Sequence, residues 1–219
     1  MKSRFGNKLH KIDFFHSAVA GLLIFSTLLN FYFVYMNFNR SRVTKVVDGD
    51  SFETKDGRRI RLLGVDAPES DNCMGPQAKE ALEIMIEGKV VKLANQVKDD
   101  YGRILANVFV SSVFVNKELV KKGLGKYNSA DLSHHADLRH AYLEAKEKEE
   151  GIFSPLCRQT DPVSDCMIKA NVRQGKNTYH TPNCRNYEQV IIDTSYGDKW
   201  FCTEEEAASE GFVKAAGCE

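Results

Sequence analysis

Hydrophobic and polar positions follow three different rhythms along the chain. From Phe14 to Asn39 there is no Lys, Arg, Asp or Glu, and Ala18 to Met36 is mostly apolar and aromatic. A spanning helix needs about 20 such residues, so the run predicts a transmembrane signal anchor over residues 14–39. The exit Asn37-Phe38-Asn39-Arg40 offers no small-x-small site, so the anchor is expected to stay uncleaved. A buried core helix is the alternative, but it would show a polar face that this run lacks. Lys2, Arg4, Lys8 and Lys11 precede the run, while Arg40, Arg42 and Lys45 follow it. Residues 1–13 therefore read as a basic tail, with the charge bias leaning toward a cytoplasmic N-terminus.

From Arg42 the period drops to two. Arg42–Val47 and Ser51–Thr54 predict strands around the turn Asp48-Gly49. Asp56-Gly57 suits a type I′ hairpin turn, after which Arg59–Val65 predicts a third strand stopped by Pro68. The period then changes to helical: Ala78, Ala81, Leu82, Met85 and Ile86 predict a helix over Gln77–Glu87, closed by Gly88. Lys89–Ala94 and Ile104–Val110 read as two more strands turning at Tyr101-Gly102, with Val113–Val115 extending the second. Lys117–Lys122 and Ala136–Lys148 read as helices ended by Gly123 and Gly151. Five strands with a helix after the third and helices at the end suggest an α+β fold around a small OB-type β-barrel. The hairpins can be read from this pattern, whereas closure of the barrel cannot.

Composition and charge limit the function classes. With 42% hydrophobic and 27% charged residues, the 219-residue chain buries a core and is not a disordered polymer. A formal net charge of zero gives no global field for gripping nucleic acid, although local arginines can still do so. The domains expected are residues 1–13, the anchor 14–39, a folded domain 40–157 and a smaller module 158–219. Six cysteines without a Cys-x-x-Cys pair read as disulfides in an oxidising compartment, and as thiols or a metal site in a reducing one.

The candidate chemistry lies in a short stretch. Asp50 and Asp66 sit at strand ends and are hard oxygen donors; with a backbone carbonyl and waters they suit Ca²⁺. Taken singly, each also reads as a turn residue. Glu69 follows a proline and is a candidate general base, or else a solvated loop carboxylate. Arg61 shares a strand face with Arg59 and Leu63, and Arg103 follows the Tyr101-Gly102 turn. Either arginine is an exposed residue by default or a fork for phosphate oxygens.

The joint pattern separates these readings. Val47-Asp48-Gly49-Asp50, Arg61-Leu62-Leu63-Gly64-Val65-Asp66-Ala67-Pro68-Glu69 and Asp99-x-Tyr101-Gly102-Arg103 occur in this order, followed by Val115-Asn116-x-x-Leu119-Val120-x-x-Gly123-Leu124. This set resembles the staphylococcal (micrococcal) thermonuclease family from Arg42 to Phe153. The resemblance implies a five-stranded OB barrel and Ca²⁺-dependent cleavage of DNA and RNA that leaves 3′-phosphate ends. It implies that Asp50, Asp66 and the Ala67 carbonyl hold Ca²⁺, that Glu69 is general base, and that Arg61 and Arg103 stabilise the transition state. Tyr101 and Tyr127 become candidate substrate contacts. Asp100 stands where the family carries a lysine, which removes a cation near the substrate. The resemblance also implies a Cys73–Cys157 bridge. The rival reading is a non-catalytic OB module tethering nucleic acid or protein at the membrane.

The C-terminal module resembles a small module found behind bacterial thermonuclease domains and, faintly, the zinc-binding module of the Ada repair protein. Cys166, Cys184, Cys202 and Cys218 read as two disulfides or, less readily at this spacing, as a Zn²⁺ site. His180 reads as a packing or capping residue. Thr203 with Glu206 forms a capping box that predicts a helix over Glu204–Glu210. From residue 159 onward ten acidic residues face six basic ones, a net of −4, so the module is not expected to be the primary nucleic-acid grip, and its partner is open. The expected location is a single-pass inner or cytoplasmic membrane protein with its catalytic domain periplasmic or extracellular.

Overall fold

The computed structural model describes residues 19–35, 41–130, 133–162, 165–173 and 176–218. The chain divides into two compact units, Met1–Ser41 and Arg42–Glu219. In the first, residues 19–35 are helical and their apolar side chains are exposed. Among the described residues no helix is long and apolar enough to cross a membrane. The two ends of the expected anchor, residues 14–18 and 36–39, lie outside the described residues.

The second unit is built on a mixed sheet. Its strands β1 (Val43–Val46), β2 (Ser51–Thr54), β3 (Arg59–Leu62), β5 (Lys92–Lys98) and β6 (Ile104–Val110) lie in the order β1-β2-β3-β6-β5. Between β3 and β5 in sequence comes β4 (Val65–Asp66), which pairs with β8 (Lys126–Tyr127). The two edges of the sheet meet: Arg42 bridges Val90, and the Val43 N–H donates to the Lys89 carbonyl at 2.9 Å. Lys89 and Val90 therefore belong to this seam rather than to β5.

Three local expectations change. Only Gly57 of the turn between β2 and β3 has positive φ, at 79°, and its N–H donates to the Thr54 carbonyl at 2.8 Å. A type I′ turn needs positive φ at both central residues, so this loop is the three-residue kind that ends in a left-handed glycine. The third strand breaks after Leu62, because Asn116, fully buried, draws in the Leu63 carbonyl at 2.9 Å and Gly64 turns the chain. Val113–Phe114 (β7) folds back to pair antiparallel with β6 rather than extending it.

The core lies inside this sheet. Phe52, Ile60 and Leu62 point inward from β2 and β3, and the helix Gly75–Ile86 adds Ala78, Leu82 and Ile86 from one stripe. Helices Val115–Lys121 and His135–Glu147 close the other side with Leu119 and Leu138.

Residues 158–218 form a smaller assembly. A short strand β9 (Arg158–Gln159) pairs with β12 (Ile192–Asp193). Strands β10 (Ile168–Arg173), β11 (Lys176–His180), β13 (Lys199–Phe201) and β14 (Val213–Lys214) make a sheet in the order β13-β10-β11-β14. Buried Asp198 ties this module together by accepting from Asn171 at 2.7 Å and from the Val172 N–H at 2.8 Å. The capping box Thr203–Glu206 is present and starts the helix Glu204–Ser209. All six cysteines are paired, as Cys73–Cys157, Cys166–Cys202 and Cys184–Cys218.

Candidate active site

The turn that delivers Asp50 is held by its neighbour. The Asp48 carboxylate accepts the Asp50 N–H at 3.0 Å, the Ser51 N–H at 2.7 Å and the Ser51 hydroxyl at 2.7 Å. Asp48 is thereby occupied by the turn, and Asp50 is left to point inward, 3% exposed. One Asp50 oxygen, Oδ2, accepts the Ala67 N–H at 3.0 Å and pairs with Arg61 Nη2 at 2.8 Å. The other, Oδ1, is buried and has no hydrogen-bond partner. Burial pushes the Asp50 carboxyl up to about 7, against the opposing pull of Arg61 and the Ala67 N–H.

Arg61 joins the two aspartates. The same Nη2 reaches Asp66 Oδ1 at 3.0 Å, and Asn128 donates to Asp66 Oδ2 at 2.7 Å. The short β4–β8 ladder, with Asp66 opposite Lys126, brings Asn128 there. Asn128 was not legible in advance, since Gly125-Lys126-Tyr127-Asn128 matches no motif considered above.

Glu69 lies on the loop after Pro68 with an exposed side chain. A close backbone approach shapes that loop: a Cβ at Gly75 would sit 1.9 Å from the Glu69 carbonyl oxygen. The Cys73–Cys157 cystine fastens the same loop to the chain beyond the helix His135–Glu147. Closing a loop with sequence separation 84 is worth about 4 kcal/mol in the chain-entropy picture. Asp66, Ala67, Pro68 and Glu69 form one wall of a cavity of about 230 Å³. Asn72, Lys126, Ser195 and Tyr196 line the same cavity.

Arg103 stands apart from this cluster. Its Nε pairs with Asp99 at 2.7 Å across the β5–β6 turn, and its guanidinium lies 5.3 Å from the Tyr101 ring centre. Arg61 is in parallel register with Leu105, so position 103 falls on the same sheet face as Arg61. Tyr101 is 85% exposed at the turn tip. Tyr127 is half-buried in β8, edge-on to Tyr142, with its hydroxyl against His135 Nδ1. Asp50, Arg61, Asp66 and Ala67 are thus brought together and Glu69 shares a cavity with Asp66 and Ala67, while Tyr101 and Arg103 sit on the β5–β6 turn.

The carboxylates of buried Asp50, one of whose oxygens is unpartnered, and of exposed Asp66 are a hard donor set of the kind Ca²⁺ takes. In the C-terminal module a ring nitrogen of His180 and the sulfurs of Cys184 and Cys218 lie within 4.8 Å of one another. Those sulfurs are joined as a cystine, so no thiolate is left there for zinc. His180 is buried, as a packing residue would be, but its Nδ1 has no hydrogen-bond partner.

Comparison with known proteins points the same way as this geometry. The family described as staphylococcal nuclease homologue matches residues 59–155, a range that begins after Asp50. An endonuclease of Haemophilus influenzae, itself uncharacterized, is 33% identical over 129 residues, covering 57% of this chain and 70% of its own length. The thermonuclease of Staphylococcus hyicus is 31% identical over 126 residues, covering 52% of this chain and 75% of its own. A probable staphylococcal-like nuclease of rice is 43% identical over 72 residues, covering 33% of this chain but only 22% of the rice protein.

Proposed function

Because the chain belongs to the staphylococcal nuclease family and carries that family's enzyme domain, we propose that it is a Ca²⁺-dependent nuclease that hydrolyses DNA and RNA with little sequence preference. The observation that carries this reading is the Arg61 guanidinium held between Asp50 and Asp66 at 2.8 and 3.0 Å, with Asp66 in turn lining a cavity together with Glu69.

In this reading Asp50, Asp66 and the Ala67 carbonyl hold the Ca²⁺. Bound there, the ion would neutralise phosphate charge and orient the attacking water. Glu69 takes the proton of that water as it attacks phosphorus. Arg61 would exchange its aspartate contacts for phosphate oxygens when substrate binds, for which its planar fork is suited. Arg103, on the same sheet face, adds a second fork to the pentavalent transition state. The bond to the 5′ oxygen breaks, the 5′ oxygen gains a proton, and the phosphate stays on the 3′ side. Tyr101, mostly exposed, and Tyr127 are the substrate contacts proposed within the OB-type barrel.

We further propose that the chain is anchored by its N-terminal apolar run, with residues 40–219 on the periplasmic or extracellular side. The exposed apolar helix 19–35 and three cystines support this placement, since cystines persist where the surroundings are oxidising. The test of the chemistry is hydrolysis of single-stranded DNA by the full chain with Ca²⁺, with chelator, and with Glu69→Gln. Activity only in the parent with Ca²⁺ is expected; equal rates in all three would refute it.

A further inference from the structure

We propose that the C-terminal module completes the nuclease cleft and that Tyr196 is a stacking platform for a nucleobase of single-stranded substrate beside the scissile phosphate. The proposal rests on the phosphodiesterase reading of that cleft.

The turn Thr194–Tyr196 belongs to the module, yet Ser195 and Tyr196 line the same cavity as Asp66, Ala67 and Glu69. Three attachments fix it there. The Cys73 N–H donates to the Thr194 carbonyl at 3.2 Å, and the Thr194 N–H donates to the Cys157 carbonyl at 2.9 Å. Lys126 Nζ pairs with Asp193 at 3.2 Å. The cystine that clamps the catalytic loop is therefore also the seat on which the module's turn docks.

Tyr196 differs from the module's other described tyrosines. Tyr179 and Tyr187 are 7% and 6% exposed, and their hydroxyls are bonded to Glu204 and to the Met167 carbonyl. Tyr196 is 50% exposed, beside the catalytic loop. The Lys126 ammonium, on a side chain only 12% exposed, lies against the Tyr196 ring, and the Arg173 guanidinium is 5.6 Å from the ring centre. Cations packed against the ring hold it in place beside the cavity that Lys126 also lines, and half of the residue stays exposed for a base to reach.

The local charges favour a base over a phosphate as its ligand. Lys126 is matched by Asp193 and Arg173 by Asp198, at 3.2 and 3.0 Å, so the patch has little net charge to offer a backbone. This agrees with the module's acidic balance and leaves stacking as its contribution. Stacking on an aromatic face is indifferent to base identity, as a non-specific nuclease needs. A cavity of about 230 Å³ is below the usual range for a drug-sized ligand and suits one nucleotide unit.

The experiment measures binding separately from cutting. Fluorescence anisotropy of a labelled oligothymidylate is recorded in Ca²⁺ with the full chain carrying Glu69→Gln, alone and combined with Tyr196→Ala or Tyr196→Trp. Tyr196→Ala is expected to weaken binding about tenfold, and Tyr196→Trp to restore it. Equal affinity with and without the tyrosine, or a loss that tryptophan does not restore, overturns the platform. If affinity follows Tyr196 but the parent does not cleave, the platform stands and the hydrolytic reading falls. If the parent cleaves and affinity ignores Tyr196, the platform alone falls.

Discussion

The two parts of the folded unit are stabilised by different means. In the barrel and its helices, Phe52, Ile60, Leu62, Leu82, Leu119 and Leu138 belong to one continuous buried cluster. The C-terminal module has a small cluster of Ile168, Ala170, Tyr179, Phe201, Ala207 and Phe212, and two cystines close its chain. A core of that size rarely stabilises a module by itself, and crosslinks make up the difference. The barrel carries the proposed chemistry on a scaffold set by burial. The module contributes Ser195 and Tyr196 to the cavity on a scaffold set by crosslinks and docking. Breaking the module's own two cystines, with Cys73–Cys157 kept, should therefore loosen the module well before it disturbs the carboxylates.

The largest expected effect breaks the barrel side of this contrast. Leu82→Ala leaves a cavity in the large cluster and should cost about 2–5 kcal/mol, measured by denaturant unfolding. The next tests the site on that scaffold: Arg61→Ala should lower the hydrolysis rate by about 10²–10³-fold with the fold retained, by steady-state kinetics and circular dichroism. Third, replacing Cys184 and Cys218 together by serine should destabilise the module by about 2–4 kcal/mol. Hydrogen exchange should then show residues 166–218 opening while β1–β6 stay protected; uniform protection loss would erase the contrast.

The smallest effect is a pH dependence. The Asp50 carboxyl is raised from 3.8 to about 7, so the folded state binds more protons than the unfolded state between those values. Its contribution to stability is full below the unfolded value and is lost as pH rises through about 7. Without Ca²⁺, Asp50→Asn should therefore gain about 1–3 kcal/mol over the parent at pH 8, a gap that shrinks by pH 5. Thermal melts in chelator at the two pH values measure it. Added Ca²⁺ should stabilise the parent and not the variant.

What the sequence made legible follows the same division. The strands β1, β2, β3 and β6 and the helix around Leu82 were readable because period reports local structure, whereas the Asp50–Arg61–Asp66 grouping was implied by the family resemblance of the motif order. The three-residue form of the Gly57 turn, the break after Leu62 and the fold-back of Val113–Phe114 were not, because each depends on one backbone angle or a distant partner such as Asn116. Asn128, Lys126 and Tyr196 stayed hidden for a stronger reason. Each reaches the cleft only through tertiary pairing, from β8 or from a turn docked on a cystine, and none lies in a motif. The acidic composition of the module also pointed away from substrate, since a sum of charges says nothing about one exposed ring.

The account stands most directly on the Ca²⁺ dependence of hydrolysis. The rate of single-stranded DNA cleavage by the full chain is followed as Ca²⁺ is titrated, for the parent and for Asp50→Asn. The account predicts a saturable rise in the parent and a rate at least 100-fold lower, about 10² by the scale of a lost transition-state contact, in the variant at every Ca²⁺ level. A parent rate independent of Ca²⁺, or a variant that matches the parent, would contradict it.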